Sequence, residues 1–83
     1  MRNYTITIEY CSDKKEYIES NKSISSELKI NFKDLVINSI PSSQDNLIVK
    51  QIYDGAVMLK IFDKNNRKRF PKKNEIVNYL KNS

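Results

Sequence analysis

Histidine is absent from this chain, and cysteine occurs once, as Cys11. A single cysteine cannot form an intramolecular disulfide, which excludes a disulfide-stapled secreted domain. Without histidine, the chain can build neither a Ser-His or Cys-His catalytic pair nor a Cys/His zinc site. Its one glycine leaves no Gly-rich phosphate-binding loop. Hydrolases of the triad type, P-loop nucleotide enzymes and zinc-finger domains are therefore excluded, and we expect no metal.

Long apolar runs are also missing, since none approaches the ~20 residues that a membrane-spanning helix needs. The segment Met1–Asn3 leads directly into a strand-like pattern, with no recognisable signal peptide or Arg/Ser-rich transit segment. We therefore expect the cytoplasm, or an organelle reached without a cleaved presequence, and not secretion. With 83 residues, the chain is expected to form one domain over residues 1–83.

Charge is uneven, because 15 basic residues face 10 acidic ones and give a net charge of +5. Such a balance favours an acidic partner: RNA, an anionic membrane face or a negative protein surface. We predict a polar basic loop over residues 63–69. Basic side chains of this loop and of the residues that follow form a cluster of six: Lys64, Arg67, Lys68, Arg69, Lys72 and Lys73. The cluster is either an interaction patch for phosphates or an acidic surface, or an ordinary solvated loop.

Alternation of residue type predicts the strands. Tyr4 to Tyr10 alternates apolar with polar residues, which is typical of a strand with one buried face and one that is wet or covered by a partner. Pro41-Ser42-Ser43 predicts a turn, and Asp54-Gly55 predicts a tight hairpin. In the last strand, alternation places Ile61 and Phe62 on opposite faces. The other predicted strands are Leu35–Ile40, Leu47–Tyr53 and Ala56–Phe62.

Two helices complete the pattern. Asp13 and Glu16 form a capping-box pattern, which predicts a helix from there to about Lys29. Phe70-Pro71 predicts the start of the last helix, because proline is well tolerated in a first helical turn. The order β-α-β-β-β-α, without internal repeat or linker, predicts an α/β domain of the two-layer α+β kind, with two helices on one face of a mixed four-stranded sheet. The predicted apolar helix faces contain Tyr17, Ile18, Ile24 and Leu28, then Ile76, Val77 and Leu80.

Three motifs resemble the selenoprotein W family, also called the Rdx family (SelT-SelW-SelH type). Ile6–Cys11 is similar to its first strand, which ends in a Tyr-Cys pair before a helix. Ile52–Gly55 resembles its Asp-Gly hairpin, and Arg69–Pro71 followed by Glu75-Ile76 resembles its Arg-Phe-Pro…Glu-Ile segment. The resemblance covers about residues 4–80 and implies a thioredoxin-like fold with redox chemistry at the first strand–helix junction.

The residues that would carry this redox chemistry are only half present. The family has Cys-x-x-Cys, or selenocysteine at the second position, where this chain has Cys11 and Lys14. Its Thr-x-x-Phe element falls on Asn46 and Val49. Because a single thiol cannot close an internal disulfide, two-thiol oxidoreductase activity is not expected.

Cys11 remains the one candidate for thiol chemistry. It comes just before a predicted helix start and close to Lys14 and Lys15, a position that favours a thiolate. It could form a mixed disulfide with glutathione or a protein thiol, or it could be a half-buried residue that packs like a small apolar side chain. We predict a degenerate selenoprotein W-like domain without cofactor, acting as a one-cysteine thiol-redox partner or as a non-catalytic protein-interaction module. The alternative is an accessory subunit of a larger assembly that contacts RNA or an acidic surface through the basic loop.

Overall fold

The computed structural model describes residues 3–54 and 56–82. Within them, four strands form one mixed sheet in the order β2-β1-β3-β4. β1 runs parallel to β2 and antiparallel to β3, and β3 runs antiparallel to β4. The predicted thioredoxin-like sheet is thereby confirmed. The elements are β1 Tyr4–Cys11, α1 Lys15–Asn31, β2 Ile37–Ser42, β3 Leu47–Tyr53, β4 Val57–Asp63, α2 Lys64–Arg67 and α3 Glu75–Lys81.

One face of the sheet carries the core. Ile8 of β1 pairs with Val49 of β3, which pairs with Phe62 of β4, so these three side chains share a face. All three are buried in one cluster together with the apolar stripes of α1 and α3. The two longer helices therefore cover this face, as predicted. None of the helices among the described residues is long and apolar enough to cross a membrane.

The start of α1 differs from the prediction. Lys14, with extended backbone angles, is the N-cap residue, and no side chain caps the helix. The predicted capping box at Asp13 is wrong, because β1 continues through Cys11 and the turn that follows moves the helix start one residue further. The helix ends at Asn31, two residues beyond the predicted Lys29, where the amide of Asn31 donates to a backbone carbonyl one turn earlier.

Pro41 lies inside β2 and not in a turn, so this prediction is also wrong. β2 is an edge strand that pairs with β1 alone, and Pro41 stands opposite Tyr10. An edge strand tolerates proline because the missing N–H can face away from the neighbouring strand. The turn comes later, where the backbone N–H of Gln44 donates to the Ser42 hydroxyl at 3.0 Å.

The β3–β4 hairpin is confirmed between the predicted strands. Ala56 N–H donates to the Tyr53 carbonyl at 3.0 Å across the turn, and Asp54 has φ 51°. This positive φ fits the first central position of a type I′ turn; Gly55, the other residue of the predicted turn, lies outside the described residues. A bulge gives Ile61 no partner of its own. Because of it, Ile61 and Phe62 are both buried, against the strict alternation expected there.

The predicted basic loop contains the one-turn helix α2. Its N-cap is Asp63, whose carboxylate accepts from the N–H groups of Asn65 and Asn66, and it ends at Lys68 with φ 60°. The last helix begins at Glu75 and not at Phe70-Pro71. Phe70 packs edge-on against the Tyr17 ring of α1, with 4.9 Å between the ring centroids. The backbone of Asn74, in the left-handed region with φ 62°, interrupts any helix that would begin at Phe70-Pro71.

Candidate functional site at the first strand–helix junction

Cys11 is the last residue of β1 and lies opposite Ser42 of β2. Its side chain belongs to the hydrophobic core cluster, and the residue is only 2% exposed. The next residue, Ser12, closes the junction with a backbone hydrogen bond to the Ser42 carbonyl at 3.0 Å. A thiol buried in this way cannot meet a disulfide in solution until the junction opens.

Lys14 occupies the position where the resemblance places the second sulfur. Its ammonium group lies 2.9 Å from the carboxylate of Asp45, in the segment between β2 and β3, and both side chains are about half exposed. The hydrogen bond and charge of Asp45 raise the pKa of Lys14. Hydrogen bonds from Tyr17 and then Lys14 lower the pKa of Asp45, so the pair stays ionised. Lys14, at the second sulfur position, therefore holds the segment between β2 and β3 through an ion pair.

Tyr17 and Lys64 extend this contact. Tyr17 is 3% exposed, and its hydroxyl accepts a hydrogen bond from the Lys64 ammonium at 2.9 Å. The same ammonium lies 5.2 Å from the ring centroids of Tyr17 and Phe70. The hydrogen bond with Tyr17 raises the pKa of Lys64. The roles of Tyr17 and Asp45 could not be predicted from the sequence, since no local motif links residues so far apart in the chain.

Asn46 and Val49, which occupy the positions of the Thr-x-x-Phe element, both have structural contacts. The Asn46 side chain donates to the Asp63 carboxylate at 3.0 Å and accepts from Asn65 N–H at 3.0 Å, which ties it to the start of α2. Val49 is fully buried opposite Ile8. Neither side chain presents a group that could assist thiol exchange.

The six basic residues do not form one free patch. Arg69 makes a bidentate ion pair with Glu75, with N–O distances of 2.7 and 2.8 Å, and Arg67 approaches Glu75 at 3.7 Å. The hydrogen bonds from Arg69 are the main cause that lowers the pKa of Glu75 to about 2. Lys64 is engaged at Tyr17. The remaining cations are exposed, and within residues 3–54 and 56–82 no carboxylate pairs with them: Lys68, Lys72 and Lys73.

No protein-family model and no curated protein matches the sequence. A selenoprotein W-related protein from Vibrio cholerae superposes with a TM-score of 0.77, covering 98% of this chain and 96% of that one. The chain has the selenoprotein W-related fold. At 17% identity the likeness shows the fold alone, and it confirms the thioredoxin-like architecture predicted from the three motifs.

Within this selenoprotein W-related fold, the junction can perform only limited chemistry. Two-thiol exchange needs a nucleophilic thiolate and a second thiol that resolves the mixed disulfide. The junction supplies one thiol, which is buried, and a lysine that is ion-paired. The arrangement is suited to holding the β2–β3 segment against α1, whereas a complete thiol-exchange cycle would require a thiol from another molecule.

Proposed function

We propose that the chain is a thioredoxin-fold protein-interaction module that works without two-thiol exchange. The observation that carries the proposal is the state of the junction. Cys11 is 2% exposed, while Lys14 fills the second position and is bound to Asp45 at 2.9 Å. The domain lacks a second thiol to resolve a mixed disulfide, and its one thiol is buried. We therefore expect it to act on another protein by binding through its surface.

Exposed apolar side chains support an interaction role. Five of the large exposed apolar residues lie at the two edge strands: Val57, Met58 and Leu59 on β4, Ile40 on β2 and Val36 just before it. Two others, Ile30 and Tyr79, lie on α1 and α3. Scattered single apolar residues are normal on a protein surface, whereas contiguous ones mark interaction sites. The three on β4 adjoin the outer edge of the sheet, alternate between its two faces, and have exposures of 64, 55 and 44%.

The first experiment measures reduction of insulin disulfides by the purified protein. We expect no turnover above the uncatalysed rate, because each mixed disulfide formed by Cys11 would have no resolving thiol. Cys11→Ala is the control, since alanine suits the apolar site. Robust turnover that Cys11→Ala abolishes would contradict the proposal.

A partner-capture experiment then separates an interaction module from a one-cysteine thiol partner. Wild-type protein and Cys11→Ala are used to isolate proteins from extract of the source cell, with and without reductant. An interaction module retains the same partners in all four samples. Partners that disappear with Cys11→Ala or with reductant would instead identify Cys11 as the attachment point and favour the thiol-partner function.

A second candidate function, contact with RNA or another polyanion, is supported by the three exposed lysines that no described carboxylate pairs: Lys68, Lys72 and Lys73. Such binding would be salt-dependent and largely independent of sequence. Fluorescence anisotropy with a labelled single-stranded RNA tests it, with the triple Lys→Gln variant as control. Binding that is unchanged in that variant would exclude these lysines as the site.

A further inference from the structure

We propose that the outer edge of β4 binds an extended segment of a partner protein as a fifth strand, and that this segment alternates apolar and acidic side chains. The inference rests on the proposed interaction function and gives it a location. Strand addition provides affinity through main-chain hydrogen bonds, while pockets along the edge select the side chains.

The two edges of the sheet differ in how they are protected. β2 carries Pro41, and proline cannot donate a hydrogen bond to an added strand. β4 has no proline, and within the described residues it pairs only with β3. Its single cation along the exposed stretch is Lys60. Edges that lack proline and dense charge are the ones that accept another strand.

Apolar side chains project from both faces of β4 next to this edge. Leu59 stands opposite Gln51, which pairs with Ile6 of the core face, so Leu59 lies on the helix-covered side of the sheet. Met58 stands opposite Ile52 and lies on the uncovered side. A segment that alternates would place its apolar side chains beside Leu59 on the covered side and its acidic ones beside Met58 and Lys60 on the other.

A cleft of about 400 Å³ continues the edge between β4 and α3. Ile61, Phe62 and Ile76 provide buried apolar walls, and Tyr79, 41% exposed, stands at its rim. This volume is sufficient for an apolar side chain of the incoming segment. Both Ile61, which the bulge leaves without a cross-strand partner, and Phe62 next to it line this cleft.

The positive charge beside the β4 edge favours one class of partner segment. Lys60 and Arg67 flank the exposed edge, and their side chains are 49 and 48% exposed. Each has a carboxylate contact, Lys60 with Asp63 at 3.2 Å and Arg67 with Glu75 at 3.7 Å, and both retain solvent-exposed donors. A second copy of this chain would bring another net charge of +5 and a second Lys60 to the same edge. An acidic segment is complementary, so a separate partner is favoured over a homodimer.

The test uses a display library of random ten-residue peptides selected against the immobilised full chain. We expect enriched peptides to alternate apolar with acidic residues and to bind more weakly at high salt. Leu59→Lys should weaken a selected peptide about tenfold or more, because the bound strand would bury an unpaired charge. Met58→Asp is a second variant should Leu59→Lys fail to fold, because a carboxylate on the face of Lys60 would repel the acidic side chains of the peptide. Ile30→Lys is the matched control, since Ile30 is an exposed apolar residue on α1, 74% exposed.

Amide hydrogen exchange locates the bound peptide. The proposal expects slower exchange in β4 and unchanged exchange in β2. It is overturned if no peptide is enriched, if affinity survives both β4 variants, if protection maps to β2, or if ultracentrifugation shows a homodimer that Leu59→Lys dissociates. Partners captured from extract equally by wild type and Leu59→Lys would leave the interaction function standing and remove β4 as its site. Insulin turnover would instead contradict the function without affecting the peptide result.

Discussion

Replacing Glu75 with glutamine tests the contact that fixes the beginning of α3. The carboxylate receives two hydrogen bonds from Arg69, at 2.7 and 2.8 Å, and a third from the backbone N–H of Lys72 at 2.8 Å. These donors hold the pKa of Glu75 at about 2, against an ordinary value of 4.5. Glutamine keeps the shape but loses the charge and one acceptor oxygen, so the bidentate pair cannot form.

The sign and size of the effect follow from the lowered pKa. A carboxyl group whose pKa is lower in the folded state stabilises the fold above its unfolded pKa, and this contribution is lost as pH falls toward its folded pKa. For Glu75 the window therefore runs from about 4.5 down to about 2. The side chain is 24% exposed and water screens the pair, so we expect Glu75→Gln to lower the free energy of unfolding by about 1–2 kcal/mol at neutral pH.

Urea unfolding at several pH values measures this contribution. The difference in free energy of unfolding between wild type and Glu75→Gln should be largest near neutral pH and shrink as pH falls below about 4.5. Glu19→Gln, at an exposed position on α1, is the control and should change stability little at any pH. A difference that stays constant with pH would refute the reasoning, because it would show that the charge of Glu75 is not the source of the effect.

Three further predictions concern the junction and the segment before α3. Phe70→Ala should lower the free energy of unfolding by about 2–3 kcal/mol, less than for a fully buried ring, because Phe70 is only partly buried against the core; a loss below about 1 kcal/mol in urea unfolding would show that its contact with Tyr17 is unimportant. Lys14→Cys should restore a Cys-x-x-Cys pair and lose two hydrogen masses on mild oxidation, whereas two persisting free thiols would show that the junction cannot close a disulfide. Cys11 should react slowly with iodoacetamide in the folded protein and quickly in urea, because it is 2% exposed; equally fast labelling in both states would show that the junction opens readily.

The strands were predictable where burial alone determines the pattern. β3 has the predicted bounds, because every second residue from Leu47 to Gln51 is buried on the helix-covered face of the sheet. The hairpin was predictable because an Asp-Gly pair supplies the backbone that a tight turn requires, and Asp54 indeed has a positive φ. In both cases, the residues that determine the structure are neighbours in sequence.

The wrong predictions involve contacts between distant residues. Proline after an aromatic residue is compatible with a helix start, but the left-handed backbone of Asn74, whose N–H donates to the Glu27 side chain, interrupts such a helix. Asp13 has the right chemistry for a cap, yet the extension of β1 moves the N-cap to Lys14. The Lys14–Asp45 ion pair depends on the sheet, which brings the β2–β3 segment to the start of α1. No spacing along the chain specifies these contacts.

The same distinction explains why the motifs identified a fold and left the chemistry undecided. Each motif contains a residue with a structural contact: Cys11 lies in the core, Asp54 forms the hairpin turn, and Arg69 binds Glu75. None of these three structural roles depends on disulfide exchange. The second sulfur position differs, because Lys14 lies on the surface, about half exposed, and pairs with an exposed carboxylate. Likeness in the three motifs therefore predicted the fold, which the structural match confirms, whereas two-thiol exchange depends on a second thiol that this chain lacks.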